Sequence, residues 1–458
     1  MRPGRWRRST HLVIGLVVLV LVAAVVGVAA VVTSTRTSAN KALPERPAAV
    51  AAAPGVRPLG EATTAPTPKG LAATLAAALA DPNLGALTGR ITDAGNGTEL
   101  WEQGEHIPMQ PASTNKVLTT AAALLTLDRD ATLTTRVVAG DRPGVVVLHG
   151  GGDPTLSAAA DDERTWYKGA ARISDLADQV RESGTRVTAV QVDLGEYSGP
   201  TLAPGWDPLD IDGGDIAPIE SVMLDGGRTQ PVSPESRRSR TPGLDAGRAL
   251  ATALRVDPAT VTVTSIAADA EELAAVQSPP LIERLRQMMN DSDNVMAESI
   301  GREVAAALNR PQSFDGAVQA VLGQLRGAGV DTANATLLDS SGLSVDNRLT
   351  ALTLDGVIAA AVGEDQPQLR PLVDLLPIAG GSGTLSNRYL DTDEGRATAG
   401  WLRAKTGSLT GTNSLAGIVT DSGGRVLTFA LISNNAGPTG RTSLDALAAT
   451  LRSCGCGG

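Results

Sequence analysis

Lysine is nearly absent from this chain. Of 39 basic residues 34 are arginine, and the lysines are only Lys41, Lys69, Lys116, Lys168 and Lys405. Histidine is scarcer, with His11, His106 and His149. A Ser-His-Asp hydrolase needs a histidine as its general base. His11 borders an apolar run, the other two have ordinary turn or strand-end contexts, and no Gly-x-Ser-x-Gly elbow is present. No pair of histidines has ligand spacing, so neither a metal centre nor a cofactor is expected. The two cysteines, Cys454 and Cys456, are too few for a disulfide framework and read as a tail of little catalytic relevance. Aromatics make up 2% of the residues, so the core must be filled by Ala, Val, Leu and Ile.

The formal charge is −10 and no basic stretch is concentrated in the body, which argues against a nucleic-acid partner. The N-terminus carries Arg2, Arg5, Arg7 and Arg8 in residues 1–11, a short cytoplasmic tail by this reading. An uncharged apolar run follows over 12–32, close to the ~20 residues that cross a bilayer. Arginines ahead of the run direct the rest of the chain outward. We therefore expect a single transmembrane anchor and a body outside the cytoplasm. A cleaved signal peptide, with Val28-Ala29-Ala30 as its weak cleavage site, is the rival reading and gives a secreted body. Residues 33–69, rich in Ala, Pro and Thr, read as a flexible tether.

The body begins near Gly70. Residues 70–130 contain a helical pattern on Leu71, Leu75 and Leu79, then two strands around Asn96-Gly97, then an apolar helix after Pro111. Over 131–276 short strands alternate with loops rich in Asp, Gly and Pro, with one helical pattern at "ISDLADQVRESG"; this stretch reads as a large β-rich insertion. From 277 to 458 long helical patterns return, and the chain ends in a hairpin around Ser422-Gly423-Gly424 and a terminal helix. The expected class is α+β: a sheet flanked by helices, interrupted by the insertion.

Three short motifs carry chemistry. They are Ser113-Thr114-Asn115-Lys116, Ser292-Asp293-Asn294 and Lys405-Thr406-Gly407-Ser408. A serine hydroxyl needs a base within hydrogen-bond reach. Unlike arginine, a lysine one helical turn away serves if burial or a second cation holds it neutral. Lys405 is the candidate second cation. Ser292 can relay a proton to a leaving amine, Asn294 can hold a substrate amide, and Lys405, Thr406 and Ser408 can dock a carboxylate. Backbone N–H groups of Ser113 and of the strand after Gly407 can form an oxyanion hole. Ser-x-x-Lys alone is weak: Ser38-Ala39-Asn40-Lys41 matches it by chance within the tether. Ser292 also reads as the N-cap of the helix through Val295 and Ile300. The signal is the three motifs in order, using two of the three lysines outside the tether.

This trio resembles the penicillin-recognising serine enzymes. "GGGDPTL" from Gly150, "DSSGLSVDNRLT" from Asp339, "GGSGTLSNR" from Gly380 and "AKTGSLTGTNSLAGIV" from Ala404 are similar to the D-alanyl-D-alanine carboxypeptidase/endopeptidase family, the class C low-molecular-mass penicillin-binding proteins. The 179 residues between the first two motifs suit that family's large insertion, and no Glu-x-x-Leu-Asn element of a class A β-lactamase follows Asn294. The resemblance implies a penicillin-binding-protein/β-lactamase-like transpeptidase domain with an antiparallel sheet and an all-helical part. It implies a serine DD-peptidase acting on peptidoglycan stem peptides, as carboxypeptidase and also endopeptidase, with β-lactams as covalent inhibitors. Its roles fall on Ser113 as nucleophile, Lys116 as base, Ser292 as shuttle, Asn294 as anchor, and Lys405, Thr406, Gly407 and Ser408 around the terminal carboxylate. It further implies that Asp153 and Arg388 reach the charged end of the peptide's diamino acid. Ser340 stands where the family more often has glycine. The alternatives are a serine β-lactamase and a non-catalytic wall-binding or sensor relic of the same fold.

Overall fold

A computed structural model describes residues 65–454, Ala268 excepted. The expected anchor over 12–32, the tail before it and most of the tether lie outside the described residues. Among those described, no helix is long and apolar enough to cross a membrane.

The first sheet is wholly antiparallel. Its spatial order is β2 (Glu99–Gln103), β1 (Ala86–Asp93), β10 (Val426–Asn434), β9 (Thr412–Thr420) and β8 (Leu402–Leu409). The expected terminal hairpin is β9–β10, with Val426 opposite Thr420. Period-two alternation sends side chains to opposite faces. Leu415, Val419, Leu427, Phe429 and Leu431 go to one face, where they meet Leu71 and Leu75 of α1 (Pro68–Leu79) and Leu444, Leu447 and Leu451 of a terminal helix, Gly440–Ser453. Ala416, Ala430 and Ile432 go to the other. There the sheet meets the large helical core of α2 (Lys116–Thr126), α3 (Leu281–Asp291), α4 (Asn294–Ala307), α5 (Phe314–Gly327) and α6 (Ala351–Val362).

The second sheet, in the insertion, runs β6 (Thr262–Thr264), β5 (Ala189–Asp193), β4 (Val145–His149), β3 (Thr134–Ala139) and β7 (Glu272–Gln277). It is mixed: β4–β5 and β5–β6 are parallel, β3–β4 and β3–β7 antiparallel. Parallel neighbours need a crossover, and helices Ile173–Glu182 and Pro242–Ala253 supply the two. The insertion is therefore α/β, with more helix than the β-rich reading assigned. The second crossover was hidden by Gly243 and Gly247, which weaken its helical pattern.

A separate apolar cluster joins the insertion to the rest. Ala203, Trp206, Ile211 and Ile219 pack with Val295, Phe314 and Leu343. Trp206 meets Phe314 edge-on at 5.2 Å between centroids, and its Nε1 donates to Asp339 Oδ2 at 2.8 Å. Cys454 is buried at the end of the terminal helix rather than lying in a loose tail, and Cys456 is outside the described residues.

Candidate active site

The three motifs meet where α2, the α3–α4 turn and β8 converge. A 3-10 turn over Ala112–Asn115 leads into α2 and puts Ser113 one turn from Lys116. Ala112 is held at φ 49°, in the left-handed region that side chains disfavour. The same is true of Ser292, at φ 56°. The expected N-cap role for Ser292 is not what the chain adopts. Ser292 ends α3, and Asp293 caps α4, its side chain accepting from Met296 N at 3.0 Å.

Lys116 is fully buried and faces three acceptors. Its Nζ lies 3.1 Å from Ser113 Oγ, 2.6 Å from Asn294 Oδ1 and 2.8 Å from the Ser341 carbonyl. An ammonium has a proton for each. A neutral amine keeps two, for Asn294 and Ser341, and turns its lone pair to the Ser113 hydroxyl. Burial pulls the Lys116 pKa down to about 8, against the opposing pull of Asp339, Asp293 and Glu298. At neutral pH roughly a tenth of such amines are uncharged, several hundred times the fraction for an exposed lysine.

Lys405 is also fully buried. Its Nζ donates to Ser292 Oγ at 2.8 Å and to the Thr406 carbonyl at 2.9 Å. Burial, then Lys116 and Arg388, hold its pKa well below the ordinary value. Burial is the largest cause for both lysines. At Gly407, β8 passes close to the serine turn. A Cβ there would stand 2.7 Å from the Pro111 carbonyl and 3.0 Å from Ser113 N. Only glycine lets the strand come this near the Ser113 backbone.

Ser113, Ser292, Asn294, Thr406 and Ser408 line one cleft of about 750 Å³. Sequence reasoning missed several of its walls. Asp215 is one, and its carbonyl accepts from Asn294 Nδ2 at 3.0 Å. Thr384 is another, its hydroxyl 2.8 Å from that of Thr406. Thr384 stands in the "GGSGTLSNR" stretch, so its signal was available. The cleft continues beyond Thr384 to Asn387, Arg388 and Asp391 and to Arg441 and Thr442 on the terminal helix.

Arg388 lines the cleft but is committed to Asp445, with Nε 2.9 Å from Oδ2 and Nη2 on Oδ1, so its charge is already matched. Asp153 is not brought to the cleft at all. It is 1% exposed, and its Oδ1 accepts from Thr155 N at 2.8 Å and Thr155 Oγ1 at 2.7 Å. A carboxylate closing the turn around Pro154 is turned inward, and burial raises its pKa. Among the described residues no group of three or more His, Cys, Asp and Glu is placed to hold a metal ion.

The D-Ala-D-Ala carboxypeptidase 3 (S13) family model matches residues 71–234 and 230–452. A second model, the Carboxypeptidase Rv3627c-like N-terminal domain, matches residues 1–58. The chain is 72% identical to Carboxypeptidase DacB of Mycolicibacterium smegmatis and 62% identical to Carboxypeptidase Rv3627c of Mycobacterium tuberculosis, each over the full length of both chains. In fold it is similar to penicillin binding protein 4 (dacB) from Haemophilus influenzae, with a TM-score of 0.68 at 21% identity over 84% of this chain and 98% of that one.

Proposed function

The chain belongs to the D-Ala-D-Ala carboxypeptidase 3 (S13) family, and from that premise we propose that it works through an acyl-enzyme on Ser113. The Ser113 hydroxyl attacks the carbonyl carbon between the two terminal D-alanines, and its proton passes to the neutral Lys116 amine. The oxyanion faces the N–H groups of Ser113 and Ser408. Collapse breaks the C–N bond. Ser292 hands its proton to the departing D-alanine nitrogen and regains one from Lys405 Nζ at 2.8 Å, and the proton that Lys116 took up makes good the loss. Water later adds to the Ser113 ester carbonyl and returns a proton to the Ser113 oxygen. Asn294 holds the substrate amide, and Thr406, Ser408 and the Lys405 side receive the terminal carboxylate. The observation that carries this reading is the 3.1 Å contact of a buried, pKa-lowered lysine with an accessible serine.

The substrate we propose is the peptidoglycan stem peptide, with β-lactams as covalent inhibitors because their strained amide meets the same nucleophile. The test pairs D-alanine release from a pentapeptide with labelling by a fluorescent penicillin. Ser113→Ala should abolish both and leave the melting temperature within a degree or two; label retained on the variant refutes the assignment.

Cross-link cleavage is a second reading, supported by the length of the cleft. D-alanine as a leaving group needs little room beyond Thr384, whereas a cross-linked peptide continues past it toward the exposed Arg441, a partner for a carboxylate. Arg441→Glu should then slow cleavage of a cross-linked dimer about tenfold and spare the monomeric pentapeptide. Equal effects on both substrates reject this reading. For the N-terminus we propose an uncleaved anchor over 12–32 with the body outside the cytoplasm, supported by the arginines ahead of the apolar run. Protease shaving of intact cells, with release of a body lacking the first residues, tests it.

A further inference from the structure

Glu298 lies on α4 one turn beyond Asn294 and is 0% exposed. Its Oε1 accepts from two consecutive backbone N–H groups, Ser340 at 3.0 Å and Ser341 at 2.8 Å. The carbonyls of the same two residues point at α2. Ser340 O accepts from Thr119 Oγ1 at 2.6 Å, and Ser341 O accepts from Lys116 Nζ at 2.8 Å. The 340–341 turn is therefore clamped between a glutamate on one side and the lysine's helix on the other. α4 can come this close because residue 301 is glycine: a Cβ there would sit 2.1 Å from Ser340 Oγ.

Charged groups around the clamp are few. Arg302, on the same helix, places Nη1 3.5 Å from Glu298 Oε2 and stacks over Phe314 and Tyr197. Asp339 faces Glu298 from the loop, and its four donors, Gly342 N, Ser344 N, Asn347 Nδ2 and Trp206 Nε1, are all neutral. Lys116 faces it from α2, with Lys405 beyond on β8 and Asp293 at the start of α4. Of the three carboxylates that bear on Lys116, Asp293 is held low by Arg238 and Arg228 despite its burial. Burial and Asp339 instead push Glu298 up to about 7, so its charge changes near neutral pH.

We propose that Glu298 is a positioning residue for Lys116: it fixes the peptide units that receive the lysine amine, and its carboxylate charge governs how readily that amine releases its proton. The proposal rests on Lys116 being the base. Losing the negative charge makes the nearby cation easier to deprotonate, so the activating limb moves to lower pH.

The test is the acylation rate of the full chain by a fluorescent penicillin from pH 5.5 to 9.5, for wild type, Glu298→Gln and Glu298→Ala. Glutamine keeps an oxygen for both N–H groups and removes the charge. Its limb should move to lower pH, so the variant should acylate faster than wild type between about pH 7 and 8, where wild-type Glu298 carries its charge, and match it near pH 6, where that carboxyl is protonated. Alanine should lose the clamp and acylate at least about tenfold more slowly at every pH. A Glu298→Gln profile superimposed on wild type overturns the proposal, as does wild-type acylation by Glu298→Ala. If the alanine variant does not fold, the glutamine profile alone decides. A wild-type rate that is flat across the range removes Lys116 as the base and the proposal with it. A rising wild-type rate with an unmoved glutamine limb removes only the role of Glu298.

Discussion

Tyr167→Phe deletes one oxygen, 2.7 Å from Asp293 Oδ2, where the insertion touches the Ser-Asp-Asn turn. Tyr167 is 1% exposed, and burial with the nearby Asp293 raises its pKa well above the ordinary value, so the hydroxyl stays a donor. Phenylalanine fills the same space and opens no cavity. What is lost is a buried hydrogen bond to a charged acceptor, worth about 1.5–3 kcal/mol. The carboxylate keeps Met296 N at 3.0 Å and Arg228 at 4.0 Å, which favours the lower end, about 1.5–2 kcal/mol. An unfolding entropy of about 2.1 cal/mol/K per residue over the folded body turns that into a drop of about 2 °C in Tm. The variant should also lose stability earlier on acidification. Asp293 has a folded pKa below its unfolded one, so its contribution is present above the unfolded pKa and disappears as pH falls through the folded pKa. Removing a donor raises that folded pKa and shrinks the contribution. Since Ser292 and Asn294 flank Asp293, the penicillin acylation rate should fall as well, by about threefold to tenfold if up to 1.4 kcal/mol of the loss is felt in the acylation transition state. Thermal unfolding by circular dichroism at pH 7 and pH 4, with stopped-flow acylation, measures all three. A variant that melts with wild type and acylates at the wild-type rate refutes the claim that the insertion braces this turn.

Gly407→Ala forces a Cβ to within 2.7 Å of the Pro111 carbonyl and 2.2 Å of Ser414 Oγ. Acylation should fall at least about 100-fold as β8 moves off the serine turn, and a rate within threefold of wild type contradicts the close approach. With Lys116 as the proposed base, wild-type acylation should rise with pH through about 8; a bell centred near pH 5 goes against it. For Arg388, the bidentate pair predicts that Arg388→Ala and Asp445→Ala each cost about 1–2 kcal/mol of stability while the double variant costs less than their sum. Strict additivity in a denaturant-unfolding cycle counts against the pair.

The candidate site was legible in the sequence to the extent that the proposed chemistry calls for residues that are rare in this chain. Lys116 and Lys405 stood out against 34 arginines, and the spacing of Ser113 from Lys116 fixed them on one helical turn. The terminal hairpin was readable because β9 and β10 alternate with period two around a glycine-rich turn. Backbone conformation was not readable. Nothing in "NDSDNVM" says that Ser292 takes φ 56° and leaves the cap to Asp293. A carboxylate before proline reads equally as a turn closer or a ligand, and the buried turn that places Asp153 away from the cleft could not be read from the sequence. Glu298 was invisible for a similar reason: within "VMAESIG" a glutamate reads as the solvent face of a helix. Only the return of the 339–344 loop, some forty residues later, buries it.

The three acceptors around Lys116 reach it from three separate chain segments, and two of those segments, the start of α4 and the 339–344 loop, are held by buried carboxylates. Asp293 caps the helix that carries Asn294, Asp339 gathers the amides of Gly342 and Ser344, and Glu298 gathers those of Ser340 and Ser341. Burial alone favours a neutral lysine, but these same carboxylates favour the charged one. A less acidic surround would leave Lys116 neutral more often and also leave its acceptors unplaced. The pKa near 8 is therefore tied to the scaffold that sets the geometry. Altering any one of the three carboxylates should shift the pH limb and the acylation rate together, and the two effects separate only in an isosteric amide such as Glu298→Gln.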